Sequence, residues 1–399
     1  MKFVLGLALA SAALSALAQA PCQTVETLPT EASGQKPAFA GQTRACAAKS
    51  DVAFDLVVVA KGLVHPWSVE PLADGRLLVS ERPGRMRIVS AKGDLGAPLE
   101  GLPKVDARGQ GGLLDLALSP SFASDRTIYW SYAEPREGGN STTVAKGVLS
   151  TDEKRLENVK VIFRTVPTYN GTLHYGGRLA FGPDGMLYLT TGDRSDTPMR
   201  PLAQRLDNHM GKTLRMKPDG GAPPDNPFVD KPGARPEIWS LGHRNIQASG
   251  FDARGQFWIV EHGTRGGDEL NLIKKGANYG WPVQAYGIEY RGTPIAGSET
   301  QRPGMEQPVY YWDPVIAPSG MQFYDGKAFP AWKGNLFIGA LRGQALVRLV
   351  MENDKVVGEE HLLHERGKRI RDVREGPDGA LYLVTDETDG ELWKVTPKK

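Results

Sequence analysis

Hydrophobic and polar positions follow one pattern that returns six times along this chain. Each copy is a polar turn, most often of the Asp-Gly kind, followed by a short run of aliphatic and aromatic residues. The copies lie at 72–81, 118–130, 181–190, 251–260, 329–338 and 375–384. Each predicts a hairpin turn leading into a buried strand, and their recurrence at intervals of roughly 45–80 residues predicts a repeat architecture.

The six units predict a closed ring of sheets. A single hairpin cannot bury both of its faces, so the units must pack on one another, and a ring of blades does this while removing exposed sheet edges. Residues 51–60 and 390–396 also read as strands, one near each end of the chain. We predict an all-β, six-bladed β-propeller over residues 51–399, in which these N- and C-terminal strands share a blade and close the ring.

The remaining segments are assigned as follows. Residues 1–18 combine a basic start, an apolar run and a small-x-small cleavage site, which predicts a secretion signal peptide. Residues 19–50 are polar and aperiodic and predict an extended arm, in which Cys22 and Cys46, the only cysteines, are expected to form a disulfide in an oxidising compartment. The regions 194–240 and 284–310 carry few strand signals and are predicted as insertions between blades.

Charge and hydropathy narrow the possible partners. The chain has 399 residues with 48 basic and 46 acidic side chains, a net charge of +2. That balance gives no electrostatic reason to expect nucleic acid or an anionic membrane as a partner. Beyond the first twenty residues no apolar stretch is long enough to span a bilayer.

Candidate catalytic residues flank the third repeat and precede the fourth. His174 comes just before the third leading strand, where a neutral imidazole could accept a proton from a substrate hydroxyl. Asp193 follows the same blade's next strand and could orient that imidazole. Arg244 lies in a polar run before the fourth repeat and, if buried, needs an anionic or carbonyl partner.

Candidate binding residues occupy equivalent places in the other blades. The Gly-rich loop 261–272 offers backbone carbonyls beside Asp268 and Glu269, hard oxygen ligands of the kind calcium prefers. Arg369 and Arg371 point to the same side of a strand, so an anion with several carboxylates or phosphates would bind between them. Arg342, in the fifth repeat, is placed to join this group if its strand faces inward, and Gln110 occupies the equivalent place before the second repeat.

Each of these signals has an ordinary structural alternative: a hydrogen-bonded loop histidine, a turn aspartate, a surface salt bridge, an acidic turn or solvated arginines. Their shared location is more informative than any one of them. Polar residues collect at the start of the leading strand in blade after blade, and in a ring those positions converge on one axial mouth. Convergent polar groups in a pocket indicate a binding site.

Six motifs resemble the soluble pyrroloquinoline quinone (PQQ)-dependent sugar dehydrogenases, and most closely the periplasmic aldose sugar dehydrogenases. They are Gly109-Gln-Gly-Gly-Leu-Leu, His174-Tyr-Gly-Gly-Arg-Leu, Gly242-His-Arg-Asn-Ile-Gln, Asp268-Glu-Leu-Asn-Leu, Asn278-Tyr-Gly-Trp-Pro and Arg369-Ile-Arg-Asp. The resemblance extends from about residue 54 to residue 396. It implies a six-bladed propeller, in agreement with the repeat count, and a periplasmic location.

The resemblance also implies a role for each motif. His174 would be the general base, Asp193 its supporting carboxylate, and Gln110 and Arg244 would lie at the substrate and the reactive quinone carbonyl. Asn245 and Gln247 would lie along PQQ, and Arg342, Arg369 and Arg371 would bind its carboxylates. The carbonyls of Gly263 and Thr264 would bind the calcium on PQQ. Glu269 and the Tyr279 carbonyl would bind a second, structural calcium.

The implied reaction is oxidation of an aldose at C1. His174 would remove the anomeric hydroxyl proton while hydride passes to PQQ, which gives a lactone, and the electron acceptor stays open (a quinone, a cytochrome or a dye). Two alternatives are a non-catalytic, calcium-stabilised binding module and a calcium-dependent lactonase. The arginines together with His174 distinguish the dehydrogenase from these two alternatives. A lactonase does not need a clamp of arginines, and a binding module does not need a histidine paired with Asp193.

Overall fold

The computed structural model describes residues 22–398, which form six antiparallel sheets, five of four strands and one of three. The predicted all-β, six-bladed β-propeller is confirmed. The signal peptide predicted over residues 1–18 lies outside the described residues. Within residues 22–398 no helix has the length and apolar character needed to cross a membrane.

The blades follow one another along the chain. The strands of the N-terminal half are β1 (Phe54–Leu63), β2 (Pro66–Pro71), β3 (Leu77–Glu81), β4 (Arg85–Val89), β5 (Leu113–Leu118), β6 (Thr127–Arg136), β7 (Gly139–Leu149), β8 (Leu156–Arg164), β9 (Gly176–Phe181), β10 (Leu187–Thr191), β11 (Lys212–Met216) and β12 (Ile238–Leu241). Blade one is β2–β4, blade two β5–β8 and blade three β9–β12.

The C-terminal half supplies the other three blades. Its strands are β13 (Ile246–Phe251), β14 (Phe257–Glu261), β15 (Asp268–Leu272), β16 (Tyr310–Trp312), β17 (Pro318–Phe323), β18 (Leu336–Ala340), β19 (Ala345–Glu352), β20 (Lys355–Leu362), β21 (Ile370–Glu375), β22 (Leu381–Thr385) and β23 (Gly390–Pro397). Blade four is β13–β16, blade five β17–β20, and blade six β21–β23 with β1. The short helical elements are α1 (Phe122–Asp125) and the 3-10 turns Arg200–Gln204, Pro330–Trp332 and His364–Arg366.

The ring closes in blade six. Strand β1 pairs antiparallel with β23, with Phe54 opposite Pro397 and Leu63 opposite Gly390, as predicted. The first strands of successive blades (β2, β5, β9, β13, β17 and β21) contact one another in a full circle around the axis. Residues near the start of these strands therefore converge at one end of the axis.

The repeated motif is the turn between the first and second strands of a blade. In blade three the Asp184 carboxylate accepts a hydrogen bond from the Met186 N–H at 3.0 Å, and Gly185 between them has φ +73°. Asp378 and Gly379 repeat the arrangement in blade six, at 3.1 Å and +73°. Asp closes such a turn through its side chain, and Gly adopts the left-handed conformation without strain. Local chemistry therefore fixes each hairpin.

The core lies between adjacent blades. One cluster joins Trp258 and Val260 of blade four to Met321 and Leu336 of blade five, and another packs Trp130 of blade two against blade one. Burying one large apolar side chain contributes about 1.5–3 kcal/mol. Because each cluster draws on two blades, every blade depends on its neighbours.

The chain preceding β1 lies against blades four and five. Cys22 and Cys46 form the predicted disulfide, with 5.4 Å between their Cα atoms. Ala47 bridges Glu359 of β20, and the Arg44 guanidinium donates to the Asp313 carbonyl at 2.8 Å. This segment is thus held to the ring by the disulfide and by backbone and side-chain contacts.

The predicted insertion at 194–240 is wrong in part, because β11 and β12 of blade three lie within it. The β11 sequence contains charged residues that conceal the strand pattern. Lys212 is fully buried and satisfies its ammonium group by donating to the carbonyls of Ala203 at 2.9 Å and Met210 at 2.6 Å. The second predicted insertion, 284–310, lies in the loop between β15 and β16, apart from Tyr310, which begins β16. It therefore lies inside blade four and not between blades.

Candidate active site

A cavity of about 180 Å³ lies at the end of the axis where the first strands begin. All six blades contribute to its lining, which consists of Trp67, Arg82, Gln110, Tyr175, Gly176, Gln247, His262, Ala317, Leu341, Arg369, Arg371 and Asp386. Four of the residues selected from the sequence are in this lining, namely Gln110, Gln247, Arg369 and Arg371. The axial mouth therefore brings together residues from distant parts of the chain.

His174 and Asp193 form a buried pair beside this cavity. The His174 Nδ1 atom lies 2.7 Å from Asp193 Oδ1, and the histidine is only 6% exposed. The backbone N–H of His174 also donates to the side-chain oxygen of Gln110 at 2.8 Å. Because the carboxylate engages Nδ1, the opposite nitrogen, Nε2, is the one able to accept a proton from a substrate.

The Asp193 carboxylate is held from three sides. It accepts hydrogen bonds from the Trp281 indole N–H at 2.7 Å and from the Ser195 backbone N–H at 2.7 Å, in addition to its contact with His174. Burial alone would raise the pKa of Asp193, but His174 and Arg244 outweigh it, so the pKa is lowered. Asp193 therefore stays a carboxylate and keeps the imidazole oriented.

The charge state of His174 follows from its surroundings. Burial is the main cause that lowers the pKa of His174 below its usual 6.5, and the positive charge of Arg244 lowers it further, against the opposing effect of Asp193. The imidazole is therefore neutral at neutral pH. A neutral, oriented imidazole can act as a general base.

Arg244 is buried and contacts the loop that follows β14. Its guanidinium donates to the carbonyl of His262 at 3.1 Å and to that of Gly263, while its backbone N–H donates to the Glu261 carboxylate at 2.7 Å. The carbonyl partner expected for a buried Arg244 is thus present. The Gly263 carbonyl, which the family resemblance assigns to calcium, thus already accepts a hydrogen bond from a cationic group.

Arg369 and Arg371 converge on one carboxylate. The Asp386 Oδ2 atom lies 2.6 Å from the Arg371 guanidinium and 3.3 Å from that of Arg369. Burial would raise the pKa of Asp386, but the two arginines lower it, Arg371 most strongly. Asp386 is therefore ionised and supplies part of the anionic charge that the two arginines require.

Arg342 is not part of the cavity lining, contrary to the clamp of three arginines expected from the sequence. Its side chain is 55% exposed and lies 3.9 Å from the carboxylate of Glu31, in the segment before β1. Arg342 lies in the turn between β18 and β19, where the Glu31 carboxylate supplies a counter-charge. Of that turn, the cavity lining includes the neighbouring Leu341.

Arg82 is a cavity arginine that sequence reasoning missed. Its guanidinium donates to the carbonyls of Gly109 and Gly111. Burial and the nearby Arg371 lower its pKa from 12.5, but a guanidinium remains charged at neutral pH. The cavity therefore still holds three guanidinium groups, those of Arg82, Arg369 and Arg371.

The repeat itself carried a signal for the missed residues. In four blades the first residue after the second strand lines the cavity, and these residues are Arg82, His262, Leu341 and Asp386. In three blades the second residue of the first strand does so, and these residues are Trp67, Gln247 and Arg371. Aligning the six copies by strand position would have selected both sets.

Several buried polar atoms at the site have no hydrogen-bond partner within the described residues. They are Nε of Arg244, Nδ2 of Asn245, Oγ1 of Thr264 and Nε of Arg371. An unsatisfied buried polar group costs about 1–3 kcal/mol. Three of the four are N–H donors, so the site fits a ligand that brings several acceptor oxygens, as a quinone with three carboxylates does.

The residues that the family resemblance assigns to calcium fit an ion less well than the unpaired donors fit PQQ. At Gly263 the carbonyl already accepts from Arg244. Glu269 lies opposite Glu261 on neighbouring strands, and the Asn271 amide donates to both carboxylates at 3.1 Å. Burial and the nearby Glu261 raise the pKa of Glu269. Across residues 22–398 no group of three or more His, Cys, Asp or Glu side chains could hold a metal ion.

The hydroxyl of Tyr279 donates to the Leu272 carbonyl at 2.6 Å, and its ring stacks on His243 with 4.8 Å between centroids. These contacts fix the side chain beside the loop that follows β15. They do not engage its backbone carbonyl, which is the atom assigned to the structural calcium.

The fold and the arginine-lined axial cavity with its adjoining His–Asp pair define a six-bladed β-propeller with a ligand site at one end of its axis. The chain belongs to the Glucose / Sorbosone dehydrogenase family, whose sequence profile matches residues 63–394. The Escherichia coli (strain K12) Aldose sugar dehydrogenase YliI is 44% identical to it over 340 residues, which cover 84% of this chain and 91% of that protein.

Solved structures agree with this assignment. A crystal structure of a glucose dehydrogenase is 50% identical and superposes with a TM-score of 0.84, covering 86% of this chain and 100% of the other. The PQQ-bound form of Aldose Sugar Dehydrogenase from Streptomyces coelicolor is 32% identical with a TM-score of 0.71, covering 87% of this chain and 100% of the other.

Proposed function

We propose that this protein is a periplasmic, PQQ-dependent dehydrogenase that oxidises aldose sugars at C1 to lactones. Its family supports sugar oxidation, and the similarity to a PQQ-bound relative supports the cofactor. The Cys22–Cys46 disulfide supports an oxidising compartment. The identity of the electron acceptor is left open.

One observation carries the proposal: a neutral, buried His174 is paired with Asp193 next to a cavity that holds three guanidinium groups. The single carboxylate in the lining, Asp386, leaves that cavity with excess positive charge. Such a cavity favours a ligand with several negative charges. A base next to it favours a reaction that begins with loss of a proton from the substrate.

The roles proposed for the chain's own residues follow from their positions. His174 accepts the anomeric hydroxyl proton at Nε2, and Asp193 stabilises the imidazolium that forms. Gln110 and Arg244 bind at the substrate end, and the residues along the cofactor are Asn245, Gln247, Arg82, Arg369 and Arg371. When bound, PQQ supplies the two-electron redox couple that side chains lack.

Calcium remains a separate part of the proposal. Gly263 and Thr264 would contribute carbonyl oxygens to an ion at the cofactor, and Glu269 with the Tyr279 carbonyl would contribute to a second ion. Because Arg244 occupies the Gly263 carbonyl, we assign no reaction step to calcium. The titration with calcium or a chelator tests whether the protein requires calcium.

The experiment is an absorbance titration of the purified protein with PQQ, with calcium or with a chelator, followed by dye-linked assays on a panel of aldoses. We expect saturable PQQ binding and sugar oxidation that depends on added PQQ. A protein that hydrolyses lactones without PQQ, or that binds sugars without turning them over, would overturn the proposal in favour of a lactonase or a binding module.

A further inference from the structure

We propose that Arg178 is a positioning residue that supports the floor of the cofactor cavity from the axis below. The proposal rests on the function proposed above, because it concerns how the same cavity is held. Arg178 is the third residue of β9 and is completely buried. It does not line the cavity, but it contacts three residues that do.

The first contact is with Trp67. The Arg178 guanidinium carbon lies 4.0 Å from the centre of the Trp67 ring, and Trp67 is part of the cavity lining. A guanidinium stacked on an indole is held by a cation–π interaction, which is stronger when it is desolvated. Arg178 therefore fixes the ring that forms one wall of the cavity.

The other two contacts are with the backbone of cavity residues. Arg178 Nε donates to the Gln247 carbonyl at 2.7 Å, and Nη2 donates to the Arg371 carbonyl at 3.1 Å. Gln247 and Arg371 are also linked through their side chains, at 3.1 Å. One planar guanidinium thus sets the relative positions of blades four and six at the point where their side chains enter the cavity.

Arg178 is neutralised by two buried carboxylates. Asp115 and Asp372 each lie 3.0 Å from its Nη1 atom, and they are the third residues of β5 and β21. The third positions of three blades therefore form a buried charged cluster, and in blade six this position follows Arg371, which lines the cavity. Apolar residues could fill such a space with equal or greater stability, which favours a positioning role for the charged cluster.

The same network contains a matched control. Arg374, the fifth residue of β21, lies 3.6 Å from Asp115, 3.5 Å from Asp372 and 3.1 Å from Glu70. It lines a different cavity, of about 290 Å³, where the first strands end. Arg374 therefore shares the carboxylates of Arg178 without touching the cofactor cavity.

The test compares Arg178→Lys with Arg374→Lys. Both substitutions keep the positive charge for the carboxylates, but a lysine in place of Arg178 cannot stack on Trp67 and donate to both carbonyls at once. We expect R178K to weaken PQQ binding by about 10–100-fold, the size of effect that loss of a residue supporting the direct ligands has at metal sites, and to shift the absorbance maximum of bound PQQ. R374K should bind PQQ as the wild type does, at comparable thermal stability.

Equal PQQ affinities for R178K and R374K would overturn the proposal, because Arg178 would then have no effect on the cofactor cavity beyond that of Arg374. A crystal structure of R178K gives a readout that does not depend on PQQ. We expect displacement of the Trp67 ring and of the Arg371 side chain, and unchanged positions would also overturn the proposal. If wild-type protein fails to bind PQQ, the proposed function fails, while this structural comparison still decides the role of Arg178.

Discussion

The Trp281 indole N–H donates to Asp193 Oδ2 at 2.7 Å, while the other oxygen of that carboxylate faces His174. Trp281 belongs to the long loop inside blade four, and Asp193 follows β10 of blade three. The loop therefore supports the proposed catalytic pair, His174 and Asp193, across a blade boundary. The centre of the same indole ring lies 5.3 Å from the guanidinium carbon of Arg244, so Trp281 neighbours both Asp193 and Arg244.

Replacing Trp281 by Phe should slow the reaction with little loss of stability. Without the indole donor, Asp193 is held less firmly and is a weaker partner for the imidazolium, and we expect kcat to fall by about 10–100-fold. The control is Trp393→Phe, because the Trp393 N–H makes a hydrogen bond of the same length, 2.7 Å, to Glu391 within strand β23 of blade six. An equal loss of kcat in both variants would contradict the specific role of Trp281.

Replacing His174 by Ala should leave PQQ bound and lower turnover by about 10²–10⁴-fold, the usual contribution of a general base. The measurement is the turnover rate per bound PQQ, with occupancy determined from absorbance. His361→Ala is the control, since His361 pairs with Glu359 at 2.7 Å within β20 of blade five. If H174A loses the cofactor but keeps its rate per bound PQQ, His174 is a binding residue and not the base.

The pH profile should report on the neighbours of His174. Only the neutral imidazole accepts a proton, so kcat/KM should fall on the acidic side, with a midpoint below the usual histidine pKa of 6.5 because burial lowers this pKa. Arg244→Gln removes a charge that also lowers the pKa, and it should move the midpoint to higher pH. Asp193→Asn removes a charge that raises the pKa and should move it lower. Shifts in the same direction in both variants would contradict this electrostatic assignment.

The fold could be predicted from the sequence because short local segments specify its hairpins. Each hairpin is specified by a turn of a few residues, such as Asp184–Gly185, and six copies were enough to predict the ring. The proximity of His174 and Asp193 could also be predicted from the sequence, since the two residues flank the same two strands of blade three. Here short-range patterns and the topology of one blade sufficed.

The features that the sequence did not predict have different physical causes. Arg342 pairs with Glu31, which lies roughly 300 residues earlier in the chain, so no local pattern links the two. Strand β11 was overlooked because the buried Lys212 is satisfied by carbonyls that only the folded loop brings to it. Arg82 belongs to no motif, and its place is evident only when the blades are aligned by strand position.

The arginines provide the final prediction. Arg371→Met removes a guanidinium that lines the cavity, and hydrogen bonds to charged groups contribute about 1.5–3 kcal/mol, so PQQ binding should weaken at least tenfold, each tenfold being about 1.4 kcal/mol. Arg342→Met, the same substitution at an arginine paired with Glu31, should change PQQ affinity little. Both are measured by absorbance titration. If R342M weakens binding as much as R371M, Arg342 leaves Glu31 when the cofactor binds, and the clamp inferred from the sequence is restored.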